Sequence, residues 1–417
     1  MSSKETASPE APSPPCPPSV TPWAVWLSGV GGFAVAIAIL FALHPFSDTV
    51  YSMFFLLIGL AVSIAAVDLL WGKVHKRPTT GLDFTRWRPS PARAFVKFVG
   101  LLGSIGLLAL LYALFPEYSG NFYARYFDAV EMALPVCLAL SIPYIYWVDG
   151  VMISPKDGLW QAGMFVLLRF ERVDLASLWQ HILGWLVKGF FLPLMFTYMC
   201  NDFDDLLIRG APALHGFKAA YDYSYDFLYF IDVCFATAGY VFSLRFIDTH
   251  LRSSEPTALG WMAALACYEP FWSLIGTQYL AYDPGHPWGE WLKGDPVLFN
   301  IWGSLILALV AIYVWSTTMF GCRFSNLTNR GILTNGPYRF TKHPAYISKN
   351  LSWWMVSLPF LGDGGWQAAR HAALLLMLNG VYALRAWTEE RHLSRDPAYV
   401  AYASWMTRNG LFPRRKS

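Results

Sequence analysis

The chain has 417 residues, of which 55% are hydrophobic, 17% aromatic and only 14% charged, with a net charge of +3. Soluble domains carry about 25% charged residues, and here the apolar residues gather in blocks of roughly 20, enough to cross about 30 Å of hydrocarbon. This excludes an ordinary soluble fold, and the residue alternation of a β-barrel is missing, so the expected class is all-α, a polytopic transmembrane helical bundle. The small net charge argues neither for nor against nucleic acid, and no nucleic-acid partner is expected. The six cysteines are scattered, with no Cys-x-x-Cys or Cys/His cluster. They are read as small core residues, and no metal site is expected.

Residues 1–22 are rich in Pro and Ser with little to bury, and they read as a disordered tail. They lack the basic start and early apolar core of a cleavable signal, so the first span is expected to act as an uncleaved signal-anchor. Apolar spans follow at about 23–43, 51–71, 95–115, 129–148, 179–199, 225–246, 257–280 and 298–320. A last pair lies at about 346–361 and 366–388, joined by a tight turn at Gly362-Asp363-Gly364-Gly365, which makes about ten spans. Residues 23–297 read as an N-terminal membrane bundle of unassigned role, and 298–417 as a separate functional unit.

Lys and Arg mark cytosolic loops. Loop 72–94 holds Lys73, Lys76, Arg77, Arg86, Arg88 and Arg93; loop 149–178 holds Lys156, Arg169 and Arg172; loop 321–345 holds Arg323, Arg330, Arg339 and Lys342. The tail adds Arg391, Arg395, Arg408, Arg414, Arg415 and Lys416, whereas loops 116–128 and 281–297 are nearly free of basic residues. The alternation predicts an integral, multi-pass membrane protein with both termini cytosolic.

Between two apolar segments lies a polar, basic stretch punctuated by Gly and Pro, from Arg330 to Tyr346. Pro suits the first turn of a helix, so the ninth span is expected to start at Pro344, with His343 at its cap. Free N–H groups at such a start attract anions. The bland alternative is a membrane re-entry turn with basic residues near lipid phosphates. In the tenth span Arg385 and Glu389 are four apart and share one helix face. They read either as a snorkelling Arg with a surface ion pair or as a site. Glu390, Arg391 and His392 read as a solvated face. Asp68, Lys188, Asp226, Asp232 and Glu269 lie inside spans and read mainly as structural polar contacts. Pro270, after Glu269, is expected to kink the seventh span.

The order Gly-Pro-Tyr-Arg, Lys-His-Pro-x-Tyr, an apolar hairpin, Arg-x-x-x-Glu-Glu, then Tyr399-x-x-Tyr402 resembles the isoprenylcysteine carboxyl methyltransferase and phospholipid methyltransferase superfamily. The resemblance covers about residues 298–413. It implies a C-terminal methyltransferase-like helical unit that binds S-adenosyl-L-methionine in a cytosol-facing pocket roofed by the tail. Arg330, Gly331, Ile332, Leu333, Tyr338, His343, Pro344, Ala345, Tyr346 and Glu389 match the family's cofactor-binding positions, and Arg385 matches the position facing the methyl acceptor. Three departures stand out: Lys342 where Arg is usual, Ser348 where Gly is common, and Arg395-Asp396-Pro397 where Phe-Gly is common.

The implied activity is methyl transfer to a lipid-like or lipidated acceptor entering from the bilayer. A carboxylate acceptor is already ionised at neutral pH and needs one orienting cation, Arg385. An amine acceptor would need a base such as Glu389, Glu390 or His392. The competing enzyme class is an NADPH-dependent, sterol-reductase-like oxidoreductase, and the third reading is a transporter or scaffold without catalysis.

Overall fold

The computed structural model describes residues 15–210, 216–283, 287–358, 361 and 364–411. Six of its helices are long and apolar enough to cross a membrane: α1 (Trp23–Leu43), α2 (Thr49–Leu70), α3 (Pro91–Leu114), α4 (Ala124–Val151), α6 (Leu175–Arg209) and α10 (Pro296–Thr318). A short α5 (Gly158–Val166), unforeseen in the sequence, packs between α3 and α6. Local chemistry sets several of the helix starts. Asp48, Asp174 and Asp295 accept hydrogen bonds from the first N–H groups of α2, α6 and α10, and Ser90 does the same for α3. Pro91 and Pro296 occupy the first helical position, where a missing N–H costs nothing.

The other four expected spans take different forms. Helix α7 (Gly216–Val241) carries Lys218, Asp222, Asp226 and Asp232 and is not apolar by the same measure. The seventh span breaks: α8 (Ala258–Leu265) ends early, and the chain resumes as a π-helical stretch at Ser273–Tyr279, after Pro270. Helix α11 (Pro344–Ser357) has 14 residues, about 21 Å at 1.5 Å per residue. Helix α12 (Gly365–Leu393) has 29 residues but carries Arg370, His371, Asn379 and Arg385. The turn joining these two lies partly outside the described residues, at 362–363. A five-residue α9 (Trp288–Leu292) precedes α10, and α13 (Pro397–Asn409) closes the chain.

The main core is built by Leu40 of α1, Leu56 and Ile64 of α2, Phe191 and Leu194 of α6, and Phe230 and Phe235 of α7. Helix α7 also packs on α10, and α8 on α12, so the elements before and after residue 297 interlock.

The basic loops gather at one end of the bundle. Arg77 reaches Asp248, Leu82 pairs with Met152, and Arg391 reaches Glu255. Strand β1 (Ser253–Ser254) pairs antiparallel with β2 (Thr328–Asn329) at the same end. At the other end Arg125 and Thr49 both contact Asp204. The loop sets grouped by their charge thus meet one another in space.

One expectation fails at the N-terminus. Residues 1–14 lie outside the described residues, but 15–22, expected to be disordered with them, run as an ordered strap along residues 332–335. Val20 N–H donates to Ile332 O at 2.9 Å, Thr334 Oγ1 donates to Pro17 O at 2.7 Å, and Asn335 Nδ2 donates to Thr21 O at 2.9 Å. Arg77 Nη1 adds a bond to Val20 O at 3.0 Å. The strap buries Val20 against Met319 and Leu333, and it satisfies polar groups on a loop that has no regular sheet or helix partner among the described residues. Composition alone does not report that.

Candidate active site

The loop after α10 is anchored by two buried arginines that line neither of the two compartments described below. Arg323 pairs with Asp68 of α2 at 2.9 Å and donates to the carbonyls of Ile247 and Asp248. Arg330, only 3% exposed, spends its guanidinium on Gly239 O at 2.6 Å, Phe324 O at 2.8 Å, Thr249 O at 2.7 Å and Ser243 Oγ at 2.6 Å. Arg330 therefore pins the loop to the end of α7 and has no donor aimed at a ligand. Gly331, at φ 108°, lies against Val20 of the strap. Ile332 packs with Tyr399, Tyr402 and Met406 of α13, and Leu333 with Val20 and Met319. These four residues, expected at the cofactor, shape the loop from behind.

The next part of the motif does reach a cavity. Gly336–Arg339 forms one 3-10 turn, and Tyr402 OH of α13 donates to Tyr338 O at 2.6 Å, tying the tail over the loop. Helix α11 starts at Pro344 with His343 in the cap position, as the spacing predicts. The His343 side chain does not cap the helix. Its Nε2 lies 2.8 Å from Glu390 Oε1, and Lys342 pairs with the same carboxylate. The first N–H groups of a helix have no intrahelical acceptor, and Ala345 and Tyr346 at this end line the cavity.

The cavity lies among α10, α11, α12 and the loop, with a volume of about 650 Å³ that is partly open to solvent. Tyr338, His343, Ala345, Tyr346, Arg385 and Glu389 all line it. Pro344, at the helix start, does not. A smaller compartment of about 450 Å³, lined also by Glu255, Thr388 and His392, adjoins it, and the two share Asn326, Tyr346, Arg385 and Glu389.

Arg385 and Glu389 stand at this junction, one helical turn apart. Tyr346 OH donates to Glu389 Oε2 at 2.8 Å. Arg385 is 8% exposed; its Nη2 donates to Asn326 Oδ1 at 2.6 Å, and its guanidinium lies 5.1 Å from the Tyr346 ring, 5.4 Å from Tyr268 and 6.0 Å from Tyr382. Among the described residues no carboxylate pairs with it within salt-bridge distance. A buried cation held only by neutral groups is costly unless an anion joins it.

The tail of α12 is not a solvated face. Burial disfavours the Glu390 carboxylate, but hydrogen bonds from His343 and Lys342 outweigh that and hold its carboxyl at about 2. Arg391 reaches Glu255 at 3.1 Å. His392 is 5% exposed, between Ser253 Oγ at 2.9 Å and Glu255 Oε2 at 3.3 Å; burial, opposed by Glu255, lowers its pKa. The solvated reading fails because β1 and the start of α8 fold back onto this turn, a contact made across more than a hundred residues of chain.

The intraspan ionisable residues mostly make structural contacts. Asp68 pairs with Arg323, Asp226 with Arg209, and Asp232 accepts from Tyr313 OH at 2.6 Å. Lys188 lies 5.8 Å from the Trp185 ring, and Glu269 accepts from Ser273 Oγ at 2.6 Å. Ser348, where the resemblance leads one to expect Gly, turns its hydroxyl back to Pro344 O at 2.9 Å and stays out of the cavity.

No family model, curated protein or solved structure matches this chain. The site must therefore be read from its own geometry. That geometry adds three residues that the sequence reading missed. Lys349 was legible as a lone cation in an apolar helix. Tyr268 sits where the seventh span breaks, and Asn326 lies in a loop with no motif, so neither carried a signal.

Proposed function

We propose that the chain is an integral membrane methyltransferase that uses S-adenosyl-L-methionine and acts on a lipid-like or lipidated acceptor, with carboxylate O-methylation the reaction the site suits best. The observation that carries this reading is the guanidinium of Arg385: buried, without an acid partner among the described residues, and shared by two adjoining compartments. A cation so placed suits an incoming carboxylate.

The donor set also fits the cofactor. Glu389 offers a carboxylate oxygen to ribose hydroxyls or an amino group. The Tyr338 ring, which lines the cavity, suits a sulfonium cation, and the open start of α11 suits a carboxylate. S-Adenosylmethionine, when bound, supplies an electrophilic methyl group on sulfur. The protein's own residues have the tasks of alignment and water exclusion. Arg385 orients the acceptor oxygen, Asn326 and the flanking rings hold the guanidinium in one pose, and α13, through Tyr402, covers the loop. No general base is required, because a carboxylate is ionised well below neutral pH.

Exposed Ile347 and Leu351 on α11 and Leu384 on α12 are compatible with an acceptor that approaches from the acyl chains. In this reading the cofactor enters from the cytosol, the side to which the basic loops are assigned. The first test is calorimetry on purified protein with S-adenosylmethionine and, separately, NADPH. Binding of the first alone supports the methyltransferase reading. Binding of NADPH alone supports a reductase, and binding of neither removes both. Incubating membranes with the radiolabelled methyl donor then separates products, since a methyl ester releases its label in base and an N-methyl group does not.

A further inference from the structure

Lys349 is the cavity residue that the methyl-transfer reading leaves without a task. It lies on α11, past the first turn, and lines the larger compartment together with Arg385. Its ammonium sits 4.9 Å from the Tyr313 ring, 5.5 Å from Trp353 and 6.0 Å from Tyr229. Those faces come from α7, α10 and α11, so the residue is positioned by three helices. An ammonium carries three donors, and ring faces stabilise its charge without accepting in the plane of a lone pair. Among the described residues no oxygen accepts from it and no carboxylate pairs with it. Asp232 attracts it, but it does not line the cavity and lies beyond ion-pair distance; its Oδ2 accepts from Tyr313 OH at 2.6 Å and its Oδ1 has no hydrogen-bond partner among the described residues.

Besides Lys342, which pairs with Glu390, one compartment thus holds two cations, Arg385 and Lys349, that form no ion pair with a carboxylate among the described residues. A single carboxylate meets one of them. We propose that Lys349 receives a second anionic group, a carboxylate or phosphate, distinct from the one that faces Arg385. This rests on the methyltransferase reading, which offers two sources for that anion: the amino-acid carboxylate of the methyl donor, or a second acidic group on the acceptor lipid. A lysine suits either, because a compact point charge with rotatable donors demands no planar geometry from its partner. The aromatic surround holds the charge in place and displaces part of its water, which favours a bound anion.

The test uses the full-length protein in detergent or nanodiscs and two variants, Lys349→Met and Lys349→Arg. The methyl donor is titrated by calorimetry. In parallel, tetradecylsuccinate, which carries two carboxylates, and palmitate, which carries one, are compared by binding competition. Lys349→Met is expected to lower one of two quantities roughly ten- to a hundredfold, and Lys349→Arg to restore most of it. A loss in affinity for the methyl donor assigns the anion to the cofactor. A lost preference for tetradecylsuccinate over palmitate, with donor affinity kept, assigns it to the lipid. If both quantities stay unchanged in a Lys349→Met protein of wild-type thermal stability, Lys349 only fills an aromatic cage and the proposal is overturned. Should the wild type bind no methyl donor, the methyltransferase reading fails by itself, and the palmitate comparison still decides whether Lys349 is an anion site.

Discussion

Truncating Arg385 to Ala is the perturbation that bears most directly on the proposed chemistry. The side chain makes one short hydrogen bond, 2.6 Å to Asn326 Oδ1, a longer one of 3.4 Å to Tyr268 OH, and contacts with three rings. A hydrogen bond to a charged group is worth about 1.5–3 kcal/mol, and a desolvated cation–π contact about 2 kcal/mol or more. Against this, Arg385→Ala removes a buried charge that lacks an acid partner among the described residues, and that relief offsets much of the loss. Thermal stability is therefore expected to fall only modestly. Turnover should fall further, because the guanidinium aligns the acceptor oxygen with the methyl group, and a misplacement of about 1 Å costs about 10²-fold in rate, or roughly 2.7 kcal/mol. Arg385→Lys keeps the charge but loses the planar fork and the stacking, so its rate should lie between the two. The assay is the initial rate of base-labile label transfer in membranes carrying matched amounts of protein, with calorimetry for the methyl donor alongside. If Arg385→Ala binds the donor normally and transfers label at the wild-type rate, the guanidinium plays no part in the reaction. If donor affinity collapses while turnover at saturation is unchanged, Arg385 serves the cofactor, and the assignment of the two compartments is reversed.

Three further outcomes are expected. Glu389→Ala should weaken binding of the methyl donor roughly tenfold or more, and Tyr346→Phe, which removes one donor to that carboxylate, should weaken it less while lowering thermal stability by about 1–3 kcal/mol; equal affinities for all three proteins in calorimetry would remove Glu389 from the site. Glu390 has its folded-state pKa near 2, below an ordinary value of 4.5, so the native state binds fewer protons. The stability this contributes is fully present above pH 4.5 and drains away as the pH falls toward about 2. Acid unfolding of wild type against Glu390→Gln should show the difference between the two shrinking through that window, and a constant gap would count against the pairing with His343 and Lys342. Gly331→Ala puts a Cβ at φ 108°, and 2.5 Å from Val20 Cγ2, at a cost of about 1–3 kcal/mol for the backbone alone. Melting curves should show the loss, with partial recovery when Val20→Ala is added, since that relieves the clash but not the dihedral. Full stability in the single variant would mean that the strap does not hold the loop as described.

Much of the architecture was readable from residue order because its causes are local. Hydrocarbon leaves no alternative partner for backbone groups, so long apolar blocks become helices. Helices α1, α2, α3, α4, α6 and α10 start within about five residues of the expected positions, and Asp, Ser and Pro residues at the caps set the starts of α2, α3, α6 and α10. The same local logic put His343 at a cap and Arg385 and Glu389 on one face. What hydropathy missed lay where polar residues interrupt a block: the break after Leu265, the polar α7, and the short α5.

The direction in which a polar side chain spends its donors was settled by tertiary contacts. Arg330 and Arg385 are both arginines of the same pattern, yet one is consumed by the carbonyls at the end of α7 and the other faces an open cavity. Lys342, His343 and Glu390 form a closed cluster, whereas Lys349, seven residues beyond Lys342, faces the cavity. The strap formed by residues 15–22 is ordered only because a loop three hundred residues away offers it hydrogen-bond partners. A residue's type states what it is able to bond. What it does bond depends on which groups lie across from it, and for a loop or a buried charge those groups come from distant parts of the chain.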